Sequence, residues 1–223
     1  SKKLKKRRDN LLEFARAQYA ALAEIVEVVG TNKQNLFKVT RLPKKVEVVV
    51  YEKDDDKEIE IYRRAFLKTI TKEIRLYGLD KDDEFVITGE VKDGILIRCI
   101  GGYEEDRFID RSFVKGSKKK TKFHDAEFGT NYFEPGREGD IETSARPEVN
   151  AFLKEEVNYD YGIPFPSFAY NPDNGVQLGM QMTFYRYRFK RQNVYTANAA
   201  YSFGNESVDL GFTADYKNLF DQY

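Results

Sequence analysis

Ile74-Arg75-Leu76-Tyr77-Gly78-Leu79-Asp80-Lys81-Asp82-Asp83-Glu84-Phe85 is followed by Ile97-Arg98-Cys99-Ile100-Gly101-Gly102-Tyr103-Glu104-Glu105-Asp106-Arg107-Phe108. Ile97 lies 23 residues after Ile74, and Phe108 lies 23 after Phe85, so two short apolar segments recur together with the Gly- and Asp-rich turn that joins them. The segments are Ile74–Tyr77 with Phe85–Thr88, then Ile95–Ile100 with Phe108–Ile109. A fixed period of this length, holding two strands, is the signature of a solenoid-like stack. It predicts Ile74 over Ile97 and Phe85 over Phe108; the alternative is a meander of sequential antiparallel hairpins. Thr121–Asp125 and Thr130–Phe133 supply a third, looser round, and about three rounds are needed to bury a continuous core.

Working outward, Leu4, Leu11, Ala15, Leu22 and Ile25 recur at helical spacing among Lys, Arg, Asp and Glu, which predicts a helical segment over 1–30 closed by Gly30. From Phe37 to Phe66 the pattern alternates: Val46, Val48 and Val50 share one parity, as do Ile59 and Ile61 after the acidic turn Asp54-Asp55-Asp56, and this predicts a hairpin. A β-rich module is thus expected over 31–135. From Gly136 to Tyr161 the chain is charged and aperiodic, with Pro147; Gly162-Ile163-Pro164-Phe165-Pro166-Ser167-Phe168 and a turn at Asn171–Gly175 follow, and 136–174 reads as a linker.

The last fifty residues alternate more strictly. Val176, Leu178, Met180, Met182 and Phe184 fall on one parity, then Tyr195, Ala197, Ala199, Tyr201 and Phe203, then Val208, Leu210, Phe212, Ala214 and Tyr216. The opposite parity carries Gln, Asn, Thr, Ser and Gly, with Asp209 and Asp215 in the third segment. Three segments of about ten residues with this dyad period match transmembrane β-strands. A soluble antiparallel sheet with one wet face has the same alternation, but in a chain that is 33% charged its wet face should carry Lys and Glu. Arg186-Tyr187-Arg188-Phe189-Lys190-Arg191 mixes rings and cations between two uncharged segments, as a membrane interface or an exposed hairpin tip would.

Composition narrows the function. Lys and Arg total 37 against 37 Asp and Glu, so no net field draws in a polyanion and nucleic acid is not an expected partner. One Cys excludes an internal disulfide, and one His excludes a His-rich metal centre. No apolar run is long enough for a membrane-spanning helix, and the basic start Ser1–Arg8 lacks the apolar core of a signal peptide, so an export signal is expected upstream of Ser1. Lys2–Arg8 and Lys118-Lys119-Lys120 are expected to be solvated faces, with lipid headgroups as the alternative contact.

Several stretches together resemble one family. Tyr77–Phe85, Ile100–Asp110, Arg146-Pro147-Glu148-Val149-Asn150 and Pro166-Ser167-Phe168-Ala169-Tyr170-Asn171-Pro172-Asp173-Asn174-Gly175 look like the region before, and the start of, the barrel in Bacteroidetes outer-membrane proteins. Those proteins join a calcineurin-like metallophosphoesterase domain to a BamA-like, surface-antigen-type barrel. The likeness runs over essentially the whole chain and rests on the order of short motifs. It implies a mainly β chain: an N-terminal helix, a periplasmic module with solenoid-like repeats, and from residue 175 to 223 the first antiparallel strands of an outer-membrane β-barrel. The implied role is structural, linking a periplasmic domain to the barrel in outer-membrane protein assembly or transport. Its partners would be outer-membrane lipid and other outer-membrane or periplasmic proteins. Val176, Leu178, Met180, Met182, Phe184, Tyr201, Phe203, Leu210 and Phe212 would face the membrane. Two further roles remain open: tether of an upstream phosphoesterase domain, and soluble β-rich binding module. The family's two-metal site needs several His, Asp and Asn ligands, and this chain holds only His124, so the segment itself is expected to be no enzyme and to carry no cofactor.

The Gly- and Asp-rich turns also resemble a degenerate Gly-Gly-x-Gly-x-Asp-x-apolar calcium repeat, with Asp83 and Asp106 as the candidate metal ligands. Lys81 and Glu104 stand where that repeat needs a glycine's backbone freedom. The competing expectation is that these carboxylates cap and solvate tight turns. Glu104, Glu105, Asp106 and Asp110 are likewise expected at a solvated edge, and His124 beside Asp125 as a strand or turn histidine.

Overall fold

The computed structural model describes residues 2–54, 57–116, 118–146, 150–152, 160–189 and 191–216. They form two compact units, Ser1–Lys154 and Glu155–Tyr223. The chain is mainly β. The first unit opens with helix α1 (Lys2–Leu22), then β1 (Ile25–Val29), β2 (Asn35–Leu42), β3 (Lys45–Asp54), β4 (Lys57–Leu67), β5 (Glu73–Leu79), β6 (Glu84–Thr88) and β7 (Glu90–Val91). It continues with β8 (Leu96–Gly102), β9 (Arg107–Asp110), β10 (Phe113–Val114), β11 (Thr121–Ala126), β12 (Tyr132–Glu134) and β13 (Gly139–Ser144). The second unit holds β14 (Tyr161–Asn171), β15 (Gly175–Arg188), β16 (Arg191–Ser202) and β17 (Ser207–Tyr216).

In the first unit the strands repeat in order. One sheet runs β1-β5-β8-β11-β13 with every neighbour parallel. A second runs β12-β9-β6-β2-β3-β4, parallel as far as β2 and antiparallel beyond it. A short parallel pair, β7 and β10, forms a third side. Ile74 pairs with Ile97 and Phe85 with Phe108, so neighbours in space are one 23-residue period apart rather than consecutive hairpins. Inward-facing Val28, Ile74, Leu76, Ile97, Cys99 and Phe123 of the first sheet share one core with Phe37, Val39, Phe85, Ile87 and Phe108 of the second. The rings form a continuous pile: Phe37 on Phe85 at 4.7 Å and 13°, Phe85 on Phe108 at 5.1 Å and 3°, Phe108 on Phe133 at 5.0 Å and 8°.

The antiparallel part interrupts that repeat. β2, β3 and β4 are a three-stranded meander, with Val46, Val48, Val50 and Phe66 buried in the shared core. A register shift between Val50 and Tyr51 skips Ile61 and sets Ile59 opposite Glu52, and both isoleucines are exposed. Asp55 and Asp56 of the acidic turn lie outside the described residues.

Two expected boundaries are corrected. The helical segment over 1–30 stops at Leu22. Ile25-Val26-Glu27-Val28-Val29 is β-branched at every position but Glu27, and it buries Val28 and pairs in parallel with β5, which removes Ile25 from the helical pattern. The linker over 136–174 contains two strands, while Pro147 lies outside the described residues. β13 pairs in parallel with β11 from Thr121–Gly139 to Ala126–Ser144. β14 pairs antiparallel with β15 from Tyr161–Tyr185 to Asn171–Gly175, so the second unit has four strands in the order β14-β15-β16-β17. Pro164 and Pro166 hid this strand. They are accommodated because β14 is an edge strand and both prolines share one parity, leaving their missing N–H groups on the unpaired side.

The pile of rings generates a test. Phe108 is fully buried with a ring on either side, so Phe108→Ala should lower unfolding stability by about 3–5 kcal/mol. Phe128→Ala, at a side chain 80% exposed, should stay within about 0.5 kcal/mol. Urea denaturation of both variants measures the difference.

Candidate functional site

The two candidate metal ligands belong to a longer column. Gly30, Gly78 and Gly101 each stand five residues before Asn35, Asp83 and Asp106, and each of those stands two before Phe37, Phe85 and Phe108. In the last round Asp125 takes the glycine position, with Asn131 and Phe133 following. Every side chain of the Asx column reaches back one turn. The backbone N–H of Asn35 donates to Asp83 Oδ1 at 2.6 Å, that of Asp83 to Asp106 Oδ1 at 2.7 Å, and that of Asp106 to Asn131 Oδ1 at 2.8 Å. At the first turn Asn35 Oδ1 itself accepts from the Thr31 N–H at 2.6 Å. A corner that would strand one main-chain donor per turn is thereby satisfied.

Glycine is needed beside this ladder for space. A Cβ on Gly78 would lie 2.2 Å from Asp83 Oδ2, and one on Gly101 would lie 2.0 Å from Asp106 Oδ2 and 2.4 Å from Asp125 Oδ2. The left-handed backbone of the turns, by contrast, is not confined to glycine. Leu79, Lys81 and Glu104 adopt φ of 91°, 74° and 75°, so the expectation that Lys81 and Glu104 bar this geometry is corrected. Their side chains meet outside, Lys81 Nζ to Glu104 Oε1 at 3.2 Å.

Asp83 and Asp106 are 1% exposed and Asp125 is fully buried. Burial pushes the Asp83 carboxyl up to about 8, and the hydrogen bond from Asn35 only partly offsets it. Asp106 is raised by burial first and by the facing Asp125 second; Asp125 is raised by burial. The Oδ2 atoms of Asp106 and Asp125 have no donor when both groups are ionised; one shared proton turns two opposed carboxylates into a hydrogen-bonded pair. Both candidate ligands therefore spend one oxygen on the main chain and press the other against a glycine. Among the described residues no group of three or more His, Cys, Asp or Glu is arranged to hold a metal.

Other candidates separate. His124 and Asp125 are neighbours on a strand and so face opposite ways: Asp125 joins the buried column, while His124 Nε2 lies 3.0 Å from Arg98 Nη1 and 3.5 Å from Glu142 Oε2. Asp106 and Asp110 are buried, not at a solvated edge, and Asp110 Oδ1 accepts the Ser112 N–H at 2.7 Å. Sequence reasoning missed Arg41, which is buried despite its charge because it continues the inward parity of Phe37 and Val39. It donates to Ser112 Oγ at 3.0 Å, Ile95 O at 2.7 Å, Lys120 O at 2.8 Å and Thr121 Oγ1 at 2.9 Å, tying successive turns together.

In the second unit, the antiparallel register puts the expected membrane-facing residues on one side of the sheet. Phe168 pairs with Leu178 and Tyr170 with Val176; Leu178 pairs with Tyr201, Met180 with Ala199, Met182 with Ala197 and Phe184 with Tyr195. Tyr201 in turn pairs with Val208, Ala199 with Leu210 and Ala197 with Phe212. Phe203 lies in the turn after β16, its ring edge-on to Tyr201 at 4.9 Å. On this side Leu178, Met180, Phe184, Leu210 and Phe212 are exposed, Leu210 by 78%. The other side carries Gln177, Gln181, Thr183, Thr196, Asn198, Asp209 and Asp215, and with them Ile163 and Phe165 of β14 and the Tyr185–Val194 pair. In the basic-aromatic stretch, Arg186 Nε lies 3.9 Å from Asp160 Oδ2; Lys190 and the side chains of Arg188 and Arg191 lie outside the described residues.

No protein-family model matches the chain, and neither a curated protein nor a solved structure matches it.

The column predicts an unusual pH dependence. The Asp83 proton is held to about pH 8 in the folded chain, against about 3.9 when exposed. A raised folded pKa means that the stability this group gives is fully present below about pH 4 and is lost as pH climbs towards 8. Asp106 contributes with the same sign. The melting temperature should therefore fall across that window. Asp83→Asn with Asp106→Asn keeps the Oδ1 acceptor, as Asn35 and Asn131 already do, and should flatten the slope and raise the midpoint near pH 8. Thermal unfolding followed by circular dichroism over a pH series, with and without calcium, measures it. A lower midpoint for the double variant at high pH would count against neutral carboxyls, and a calcium-dependent rise confined to the wild type would put an ion in the proton's place.

Proposed function

We propose that this chain is a non-catalytic structural segment that links a periplasmic domain to an outer-membrane BamA-like barrel, serving outer-membrane protein assembly or transport. Its first unit is a short β-solenoid acting as a stiff spacer, and its second unit is the opening portion of the barrel wall. The observation that carries this reading is the uncovered apolar side of β14–β17, where Phe168, Leu210 and Phe212 are 72%, 78% and 69% exposed. Water disfavours such a surface, and acyl chains favour it. Strands of 11, 14, 12 and 10 residues reach the length that a tilted strand needs to cross the hydrocarbon layer. The polar side suits a lumen, because its Asp209 and Asp215 share the parity of Gln and Asn. Four strands fall short of the eight or so that close a barrel, so on this reading they form only part of the wall.

Chemistry is assigned elsewhere. With His124 engaged by Arg98 and Glu142, and Asp83 and Asp106 turned onto the main chain, the segment should not hydrolyse a simple aryl phosphate with added manganese or zinc. Turnover that survives repurification and vanishes in His124→Ala would make it an enzyme.

The membrane reading is tested near the middle of β15. Met180→Arg should cost about 2–4 kcal/mol of folding into lipid vesicles, while Gln181→Arg, on the opposite side, should be tolerated. Equal tolerance at both positions would assign the sheet to a soluble binding module instead.

A further inference from the structure

Helix α1 combines two features, and the rest of its unit reaches its stripe at Tyr19, whose hydroxyl oxygen lies 3.5 Å from Arg64 Nη2. From Lys3 to Leu22 every residue except Asn10 is exposed. Leu4, Leu11, Ala15 and Leu22 nonetheless form one stripe, widened by Phe14 on one flank and Tyr19 on the other, with Leu4 65%, Leu11 64% and Phe14 68% exposed. The second feature is charge. Lys2, Lys3, Lys5, Lys6, Arg7, Arg8 and Arg16 oppose only Asp9 and Glu13 within the helix, in a chain whose formal charge is zero.

That charge does not help the helix form. Lys3 and Arg7 are four residues apart, and Lys3 with Lys6 and Lys5 with Arg8 three apart, so like charges are neighbours along the surface and destabilise it. Arg8 pairs with Asp9 at 2.7 Å, an exposed contact between sequence neighbours that leaves the cluster positive. A stripe of large apolar side chains beside a dense cationic cluster calls for a partner that is anionic at its surface and apolar beneath it. Nucleic acid supplies the first property without the second. A second copy of α1 would cover the stripe but, being itself basic, would bring no anionic surface to the Lys/Arg cluster.

We infer that α1 lies on an anionic phospholipid surface, its Lys/Arg cluster among the headgroups and its Leu/Phe/Tyr stripe at the acyl boundary. The inference rests on the membrane reading above only in needing a bilayer nearby; its own signature is dependence on lipid charge.

Flotation of the full chain with vesicles of phosphatidylcholine alone, and of phosphatidylcholine with phosphatidylglycerol, at low and high salt, tests it. The apolar sheet of the second unit contributes to both lipids, so the ratio of the two affinities isolates the helix. Wild type should prefer the anionic vesicles, and high salt should erase the preference. Lys3→Gln with Lys6→Gln and Arg7→Gln should reduce affinity for anionic vesicles on the order of 100-fold, about fivefold for each charge removed, and leave binding to neutral vesicles unchanged. Because these side chains are exposed and repel one another, the unfolding midpoint should not fall, which separates lost binding from lost folding. Leu11→Asp should weaken anionic binding as well. Equal wild-type affinity for both lipids, or a preference that survives the Gln variants, overturns the inference. So does a concentration-dependent dimer that Leu11→Asp abolishes while vesicle binding persists, because the stripe would then belong to a second copy. Loss of insertion in Met180→Arg with the lipid-charge preference intact would show the two membrane contacts to be independent.

Discussion

One phenyl ring per turn, lying flat on the ring of the turn before, sets the geometry of the first unit. Rings spaced 4.7–5.1 Å apart match the separation of adjacent hydrogen-bonded strands, so aromatic contact and backbone pairing demand the same register. A slip of one residue would turn each Phe outward and break the pile and the ladder together. The Asx side chain two residues earlier then meets the main-chain N–H of the neighbouring turn without further adjustment, and the glycine before it makes room for the side chain. Ring, carboxyl and glycine are three expressions of one register.

The interior carries more polar groups than its apolar pattern suggests, and they are handled in two ways. Arg41 keeps its charge in a place where burial opposes it, with Asp110 and Glu138 near enough to offset part of that penalty. Each of its three guanidinium nitrogens donates to an oxygen, so the side chain acts as a multi-turn tie rather than as half of an ion pair. The aspartates of the column follow the opposite course. They satisfy a backbone donor with one oxygen and are pushed by burial towards the neutral form, which spares the interior a row of like charges. Asn35 and Asn131 at the ends of the same column show that the position asks for an acceptor and not for a charge.

The two units use alternating strands to different ends. In the first, parallel strands three sides deep turn one parity inward and bury it completely at Phe37, Ile74, Phe85 and Ile97. In the second, a single antiparallel sheet has no second layer within its own unit among the described residues, so one open face carries large apolar side chains and the other mixes small polar ones with Ile163 and Phe165 of the edge strand. The strand chemistry is alike, and what differs is whether the chain returns to cover its own apolar side.

Much of this was legible in the chain itself. The 23-residue spacing required Ile74 beside Ile97 and Phe85 beside Phe108, because a period shared by two strands and their turn is satisfied by stacking. The parity of Val176–Phe184, Tyr195–Tyr201 and Val208–Phe212 likewise determined that these residues share one face. Other features were beyond any local reading. Ile25–Val29 continues a helical spacing until a parallel partner 48 residues away makes it a strand. β14 looks like a proline-bearing loop until it becomes the edge of a sheet. Asp83 and Asp106 look like solvated turn residues until the neighbouring turn closes over them, and Arg41 looks exposed until Ile95, Ser112 and Lys120 surround it. Periodicity is a property of neighbouring residues, so the sequence alone determined strand, parity and repeat. Burial of a polar group depends on which distant segment arrives to cover it, and only the tertiary structure decided that.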